Sequence, residues 1–216
     1  CGSWCRYQEP DGESVGIRAW NTGDAGSASS SEGQKLIRNR DADRYMEKTY
    51  GVENPRVALL NIGTEETKGD MLRKETYELI KNNDQINFVG NMESRDLLTG
   101  AYDLIVCDGF SGNVLLKSTE GTAMELMKLL KKSFMSSFKN KMGALLLKKE
   151  VMNIKNMMDY NNYGGGVMLG VKKIIVKGHG SSKSNAIYHC IEQAYNMEKN
   201  HLIEAISEGI TRNIDE

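Results

Sequence analysis

Three short apolar runs alternating with helical patterns constrain this chain more than any other feature. The runs are Arg56 to Ile62 (RVALLNI), Ile86 to Val89 (INFV) and Asp103 to Cys107 (DLIVC). Strands that are apolar throughout, with no in–out alternation, require cover on both faces. A helical pattern from about Asp70 to Asn82 and a long one after Gly112 supply that cover. Val167 to Leu169 and Ile174 to Val176 predict a hairpin, and the loop after it feeds a final helix reaching about Glu208. The order predicts an α/β fold: a mostly parallel sheet flanked by helices.

The residues before this pattern are of another kind. From Cys1 to Lys35 the only aliphatic side chains larger than alanine are Val15 and Ile17, and the stretch ends in a serine run. It cannot bury enough apolar surface to offset its conformational entropy, so residues 1–43 are expected to be irregular or disordered and 44–216 to form the folded part. The first residue is Cys rather than Met, which suggests a processed chain or a fragment.

Charge excludes one broad class. Basic and acidic residues nearly balance, 28 against 29, where a general nucleic-acid binder carries a basic excess. No run approaches the ~20 apolar residues that span a bilayer, and none has the form of a signal peptide. Cys107 closes a strand and Cys190 sits in a helical pattern, so both are expected as buried thiols in a reducing cytoplasm. Cys1 and Cys5 have no neighbouring His or second Cys pair, so no metal site is expected.

Three turns share one form: an apolar strand ends, a polar loop with glycine follows, and a helix begins. In open α/β sheets that edge binds ligands, and helix starts offer amides and a positive dipole end to an anion. The first turn is LNIGTEETKGD, with Asn61, Glu65 and Lys68 as polar groups; an ordinary βα loop reads the same way. The second is CDGFSGNVLLK: Asp108 follows the strand, then Gly109, Ser111 and Gly112. Asn113 and Lys117 lie four apart on one helix face, and Lys117 can aim at an anion near Ser111 and Gly112. A capped helix with an exposed lysine is the plainer reading. The third is KGHGSS, where Lys177, Gly178, His179, Gly180, Ser181 and Ser182 can together hold a phosphate. His189 and His201 lie in the final helical pattern and are read as structural or exposed. None of the three matches a nucleotide fingerprint, so no cofactor is expected.

Apolar positions Ala123, Met127, Leu130, Phe134 and Phe138 mark one amphipathic face, and a second helical run, Ala144 to Met158, follows the breaker Gly143. Lys128 to Glu150 holds seven lysines and one acidic residue in an otherwise balanced chain. Phe134, Phe138, Leu145, Leu146 and Leu147, set among Lys139 and Lys141, suit a helical hairpin that meets anionic lipid or a protein partner; a solvated helix face is the alternative.

Five segments, GVENPRVALLNIGTEETKG, INFVGNMESRDLL, YDLIVCDGFSGNVLLKSTEG, DYNNYGGGVMLGV and KGHGSSKSNAI, in this order resemble the PlsX-type phosphate acyltransferases of bacterial phospholipid synthesis. The resemblance runs from about Arg44 to Ile206 and corresponds to the C-terminal part of that family. It implies a fold like that of isocitrate dehydrogenase and phosphotransacetylase, a homodimer, and cytoplasmic location with peripheral attachment to the membrane. Acyl-carrier protein and inorganic phosphate are the implied substrates. The acyl phosphate product is then used by a glycerol-3-phosphate acyltransferase. Residues 1 to about 43 do not look like the family's N-terminal region, which suggests a truncated or frame-disrupted gene product; Asn21-Thr22-Gly23 echoes a family motif, read as chance. In this reading Lys177, His179 and the Gly178 and Gly180 amides hold phosphate or the oxyanion, Asp108, Asn113 and Lys117 complete the cleft, and Asn61, Glu65 and Lys68 form its rim. A phosphotransacetylase-like enzyme acting on acyl-CoA, and an inactive fragment that only binds acyl-carrier protein or membrane, are the rival readings.

Overall fold

A computed structural model describes residues 19–21, 44–157, 165–168, 171, 173–180 and 182–211. Its main sheet has four parallel strands: β1 (Ala19–Asn21), β2 (Val57–Asn61), β3 (Phe88–Glu93) and β4 (Leu104–Cys107), in the spatial order β1-β4-β2-β3. β1 corrects the expectation that residues 1–43 are irregular throughout, because Ala19, Trp20 and Asn21 pair with Ile105, Val106 and Cys107.

The continuous apolar runs are explained by two covers. All five residues of β2 and all four of β4 are buried. Val57, Leu59, Leu104 and Val106 face α2 (Met71–Lys81) and pack with Tyr77, Ile80, Ile86 and Met46, the last from helix α1 (residues 44–50). Ala58, Leu60, Ile105 and Cys107 face the other way, onto Met92, Leu97, Tyr102 and Leu115 of α3 (Gly109–Phe134). Burying one such aliphatic side chain stabilises by about 1.5–3 kcal/mol, so these two clusters carry much of the fold.

β3 departs from the expected Ile86–Val89 run. Its register against β2 shifts between Val57, opposite Phe88, and Leu59, opposite Asn91. Three residues of β3 therefore match two of β2. The extra residue is accommodated at Gly90, whose φ of 97° suits glycine. The bulge carries the strand on to Glu93 and turns Asn91 to the α2 face beside Leu59.

A second unit is an antiparallel pair, β5 (Gly166–Met168) and β6 (Ile175–Lys177), backed by α6 (Ser184–Lys199) and α7 (Leu202–Thr211). The expected single final helix is two. His201 breaks it with φ 53°, and the Asn200 side chain donates to the Lys48 carbonyl at 2.8 Å. α1 belongs to both units. Met46 enters the main core, while its neighbour Tyr45 packs with Met197, Leu202 and Ile206. Gln193, buried, donates to the Tyr45 hydroxyl at 2.7 Å and accepts the Gly165 amide at 3.0 Å.

The Lys-rich region is an arm of three helical segments, the outer part of α3, then α4 (Phe138–Leu146) and α5 (Lys148–Met157). Gly143 is not the breaker; it lies inside α4. The chain turns instead at Met135–Ser137, where the Ser137 hydroxyl accepts the Asn140 amide at 3.1 Å and the Asn140 side chain returns to the Ser133 carbonyl. No residue from 121 to 150 is buried.

Candidate active site at the carboxyl edge of the parallel sheet

β2 and β4 are neighbours, so the loops that follow Asn61 and Cys107 start side by side. The first loop, residues 62–70, is held from below by two asparagines. Asn61 donates to the Lys68 carbonyl at 3.1 Å and accepts the Ile62 amide at 2.8 Å; Asn91 donates to the Glu65 carbonyl at 2.9 Å. These side-chain amides take the place of the ladder partners that the backbone loses on leaving the sheet. Asn61 is buried and spends its polar atoms on the loop, away from the open rim that its place after the strand suggests. Gly69 closes the loop at φ 90°, and a Cβ there would lie 2.6 Å from Asn61 Oδ1 and 2.9 Å from Arg73 Cβ. Glu65 and Lys68 are exposed and fold over Gly63.

Asp70 and Asp108 are the N-caps of α2 and α3. Asp70 accepts the Arg73 amide at 3.0 Å, and Asp108 Oδ1 accepts the amides of Phe110 at 2.9 Å and Ser111 at 2.8 Å. One guanidinium joins the two caps. Arg73 Nη1 donates to Asp70 Oδ2 at 2.6 Å, while Nη2 donates to Asp108 Oδ2 and, at 2.8 Å, to the Ser111 hydroxyl. Burial raises the Asp108 pKa, but the Ser111 hydroxyl and amide, the Arg73 charge and the Phe110 amide outweigh it and hold the carboxyl below its ordinary value. Asp108 is thus an anionic cap with both oxygens engaged, and not a poised base.

Cys107 is equally committed. Burial, then the Asp108 charge, push its thiol up to about 12, and Gly112 packs against the sulfur. Such a thiol is not a nucleophile near neutral pH. Asn113, half-buried, and Lys117, exposed, project from the next turns of α3 on the face their spacing predicts, and Gly109 lies half-buried at its start. Among the described residues Lys68 and Lys117 make no ion pair, so one cation stands open on the first loop and another on α3.

The third loop does not leave this edge. It follows β6 of the two-stranded sheet, which corrects the placing of all three turns on one sheet. The Ser182 amide donates to the His179 carbonyl at 3.0 Å, and α6 then begins after Lys183 with no side-chain cap bond. Gly178 sits over Cys190, a second buried thiol, whose pKa burial also raises. Lys177, His179 and Gly180 are exposed and Ser182 is half-buried; Ser181 lies outside the described residues. His189 meets Glu192 at 3.2 Å on α6.

On the arm, Phe138 is 79% and Leu146 81% exposed, Leu145, Leu147, Lys139 and Lys141 are also exposed, and Phe134 is half-buried. Among the described residues no helix is long and apolar enough to cross a membrane, and no cluster could hold a metal ion.

Arg73 and Asn91 are the functional-edge residues that the motifs do not reveal. The spacing Asp70–Arg73 carries a signal for the first, a cap residue followed by a cation in the same turn. Asn91 has none, since only the bulge at Gly90 brings it to the loop.

The family described as "Fatty acid synthesis protein" matches residues 22–205, starting upstream of the Arg44 boundary that the motifs suggest. Among curated relatives, the "Phosphate acyltransferase" of Listeria innocua is 48% identical over 168 residues, 78% of this chain and 50% of the relative. That of Streptococcus uberis is 48% identical over 169 residues, again 78% and 50%, and that of Bacillus cereus 50% over 163 residues, 76% and 49%. The chain spans about half the length of these relatives. With a match over most of its residues, the chain belongs to the fatty acid synthesis protein family, the PlsX-type phosphate acyltransferases that its motifs resemble.

Proposed function

We propose that this chain supplies the carboxyl-edge part of a site that transfers a fatty acyl group from acyl-carrier protein to inorganic phosphate. The observation that carries the reading is the pair of adjacent strand-to-helix turns, locked together by Arg73, with Lys68 in the loop before α2 and Lys117 two turns into α3. Helix N-termini and open cations suit a phosphate, and the loops' side-chain braces hold them in one geometry before it arrives.

The reaction forms a carbon–oxygen bond from phosphate to the thioester carbonyl and breaks the carbon–sulfur bond, releasing a thiolate that takes a proton. Phosphate is already an anion, so no base is needed to create the nucleophile. Cys107 and Asp108 are both unavailable for covalent or base catalysis, which favours direct attack. Lys68, Asn113 and Lys117 then stabilise phosphate and the developing oxyanion. Lys177, His179 and the amides of Gly178 and Gly180 form a second anion-binding turn, with Ser182 beside it and His179 as the proton donor to the leaving thiolate.

The test is acyl-phosphate formation by the purified chain, with the same acyl group offered on acyl-carrier protein and on coenzyme A. Preference for the carrier protein supports the reading; preference for coenzyme A moves it to a phosphotransacetylase-like enzyme. No turnover on either, with binding retained, leaves a chain that binds without catalysing. The arm favours a peripheral role at an anionic membrane surface in any of these cases, because Phe138 and Leu145–Leu147 are exposed amid lysines. Co-sedimentation with anionic but not zwitterionic vesicles is the expected outcome. A homodimer formed through the same apolar side chains, feeding a glycerol-3-phosphate acyltransferase, is the competing use, and equal sedimentation with both lipids together with a dimeric mass would favour it.

A further inference from the structure

The two cap carboxylates pose a problem for any anion at this edge. Asp70 and Asp108 place negative charge at the two helix starts where the dipoles and amides otherwise attract a phosphate. An incoming phosphate is repelled by both unless the cluster holds a compensating cation. Arg73 is that cation. Its side chain is largely buried and reaches Asp70, Asp108 and Ser111 at once.

We propose that Arg73 is the positioning residue of this edge: its guanidinium bridges the Asp70 and Asp108 caps, offsets one of their two negative charges and fixes the Ser111 hydroxyl, so that a phosphate-class anion can occupy the space between the α2 and α3 helix starts. The inference rests on the reading of this edge as an acyl-phosphate site. Arg73 acts through the caps, with three of its N–H donors engaged by Asp70, Asp108 and Ser111. It makes the caps compatible with an anion. The planar fork suits this task because two of its nitrogens serve three acceptors, where a lysine ammonium offers a single point of charge.

The experiment titrates inorganic phosphate into the purified chain, followed by calorimetry, for the wild type, Arg73→Gln, Arg73→Lys and the double variant Arg73→Gln/Asp108→Asn. Asparagine keeps the side-chain oxygen that caps α3 and removes the charge. Arg73→Gln is expected to weaken phosphate binding about tenfold or more, the scale of one uncompensated charge at close range. Arg73→Lys is expected to fall between, and the double variant to regain most of the loss. A purely structural role gives a different pattern: Arg73→Gln lowers the melting temperature while the folded protein binds phosphate as the wild type does. That result, or a double variant no better than Arg73→Gln, overturns the inference. A wild type that binds no phosphate overturns the reading of the site as well. A second readout is independent of ligand. Carbon-13 titration of the Asp108 carboxyl should show its pKa rising in Arg73→Gln, and an unchanged titration also overturns the proposal.

Discussion

Gly112→Ala offers a test of the packing at the α3 start in which two effects of opposite sign compete. Gly112 is in the first turn of α3, and a Cβ placed on it would lie 2.4 Å from Cys107 Sγ, with both residues buried. Ordinary contact begins near 3.4 Å, so about an ångström of overlap must be relieved. Cysteine has one side-chain torsion, and its backbone is fixed in β4 between two neighbours, so the sulfur has little room to yield. Overpacking of this kind costs about 1–3 kcal/mol. Alanine in a helix gains about 1 kcal/mol over glycine. Because the sulfur cannot yield, the overlap cost lies in the upper part of that range, about 2–3 kcal/mol, and Gly112→Ala is expected to destabilise by roughly 1–2 kcal/mol, which lowers the melting temperature by about 2–8 °C in a chain of this size.

The sign should reverse once the sulfur is removed. Cys107→Ala alone costs roughly 1–2 kcal/mol for the lost burial and the space left behind. In that background the new methyl enters the vacated space, so Gly112→Ala should stabilise by about 1 kcal/mol through propensity alone. The four proteins form a double-mutant cycle with a coupling of about 2–3 kcal/mol, read by urea denaturation. If the two substitutions add, or if Gly112→Ala is neutral in the wild type, the sulfur and the α3 backbone are not in contact and the geometry assigned to the second loop is wrong.

Acidification should weaken the fold partly through Asp108: its folded pKa lies below the ordinary value of 3.8, so its contribution is full above that value and is lost as pH falls through the folded one. Urea denaturation of Asp108→Asn should therefore show a shallower loss of stability below about pH 4 than the wild type, and identical acid profiles would contradict the sign. Gln193→Leu should cost about 1–3 kcal/mol by leaving the Gly165 amide and Tyr45 hydroxyl without that partner, measured as a shift in denaturation midpoint; an unchanged midpoint would show that this network does not join the two units. Cys107, its thiol pushed up to about 12, should remain unalkylated by iodoacetamide in the folded protein at pH 8 and react after unfolding; rapid labelling of the native chain would reopen a covalent mechanism. In a full-length relative, alanine at the position of His179 should lower turnover strongly with little change in stability, and near-normal activity would remove that residue from the mechanism.

The parts of the fold that follow from periodicity were legible and those that follow from single residues were not. β2, β4 and α2 lie where their apolar runs and the Asp70 cap place them, because burial on both faces leaves a continuous signature in the sequence. β3 was displaced by a bulge, since one glycine changes which side chains share a face without changing composition. The same holds on the arm, where Ser137 ends a helix and Gly143 does not. The long-range bonds of Arg73 to Asp108, 35 positions away, and of Asn91 to Glu65 leave no local pattern at all. The three anion-suited turns looked alike because their sequences share a form, but which sheet each strand joins is decided by pairing, and β6 pairs with β5.

That last difference bears directly on mechanism. The polar strand-end residues nearest the candidate edge are already committed to holding it: Cys107 under Gly112, Asp108 in the α3 cap, Asn61 and Asn91 under the first loop. What remains open to a ligand is Lys68, Asn113 and Lys117, with the Glu65 carboxylate beside Lys68 on the first loop. A site of that composition can orient an anion and stabilise charge, and its two ionisable strand-end residues, Cys107 and Asp108, are not free to carry an acyl intermediate. The proposed direct attack by phosphate asks for no more than this. In the proposed reaction leaving-group protonation comes from elsewhere, and the turn bearing His179, on the other sheet, is its proposed source. Activity should then depend on how the two units are held together, so that loosening their junction at Gln193 lowers turnover more than phosphate affinity. Equal losses in both would place the proton donor on the parallel-sheet edge itself.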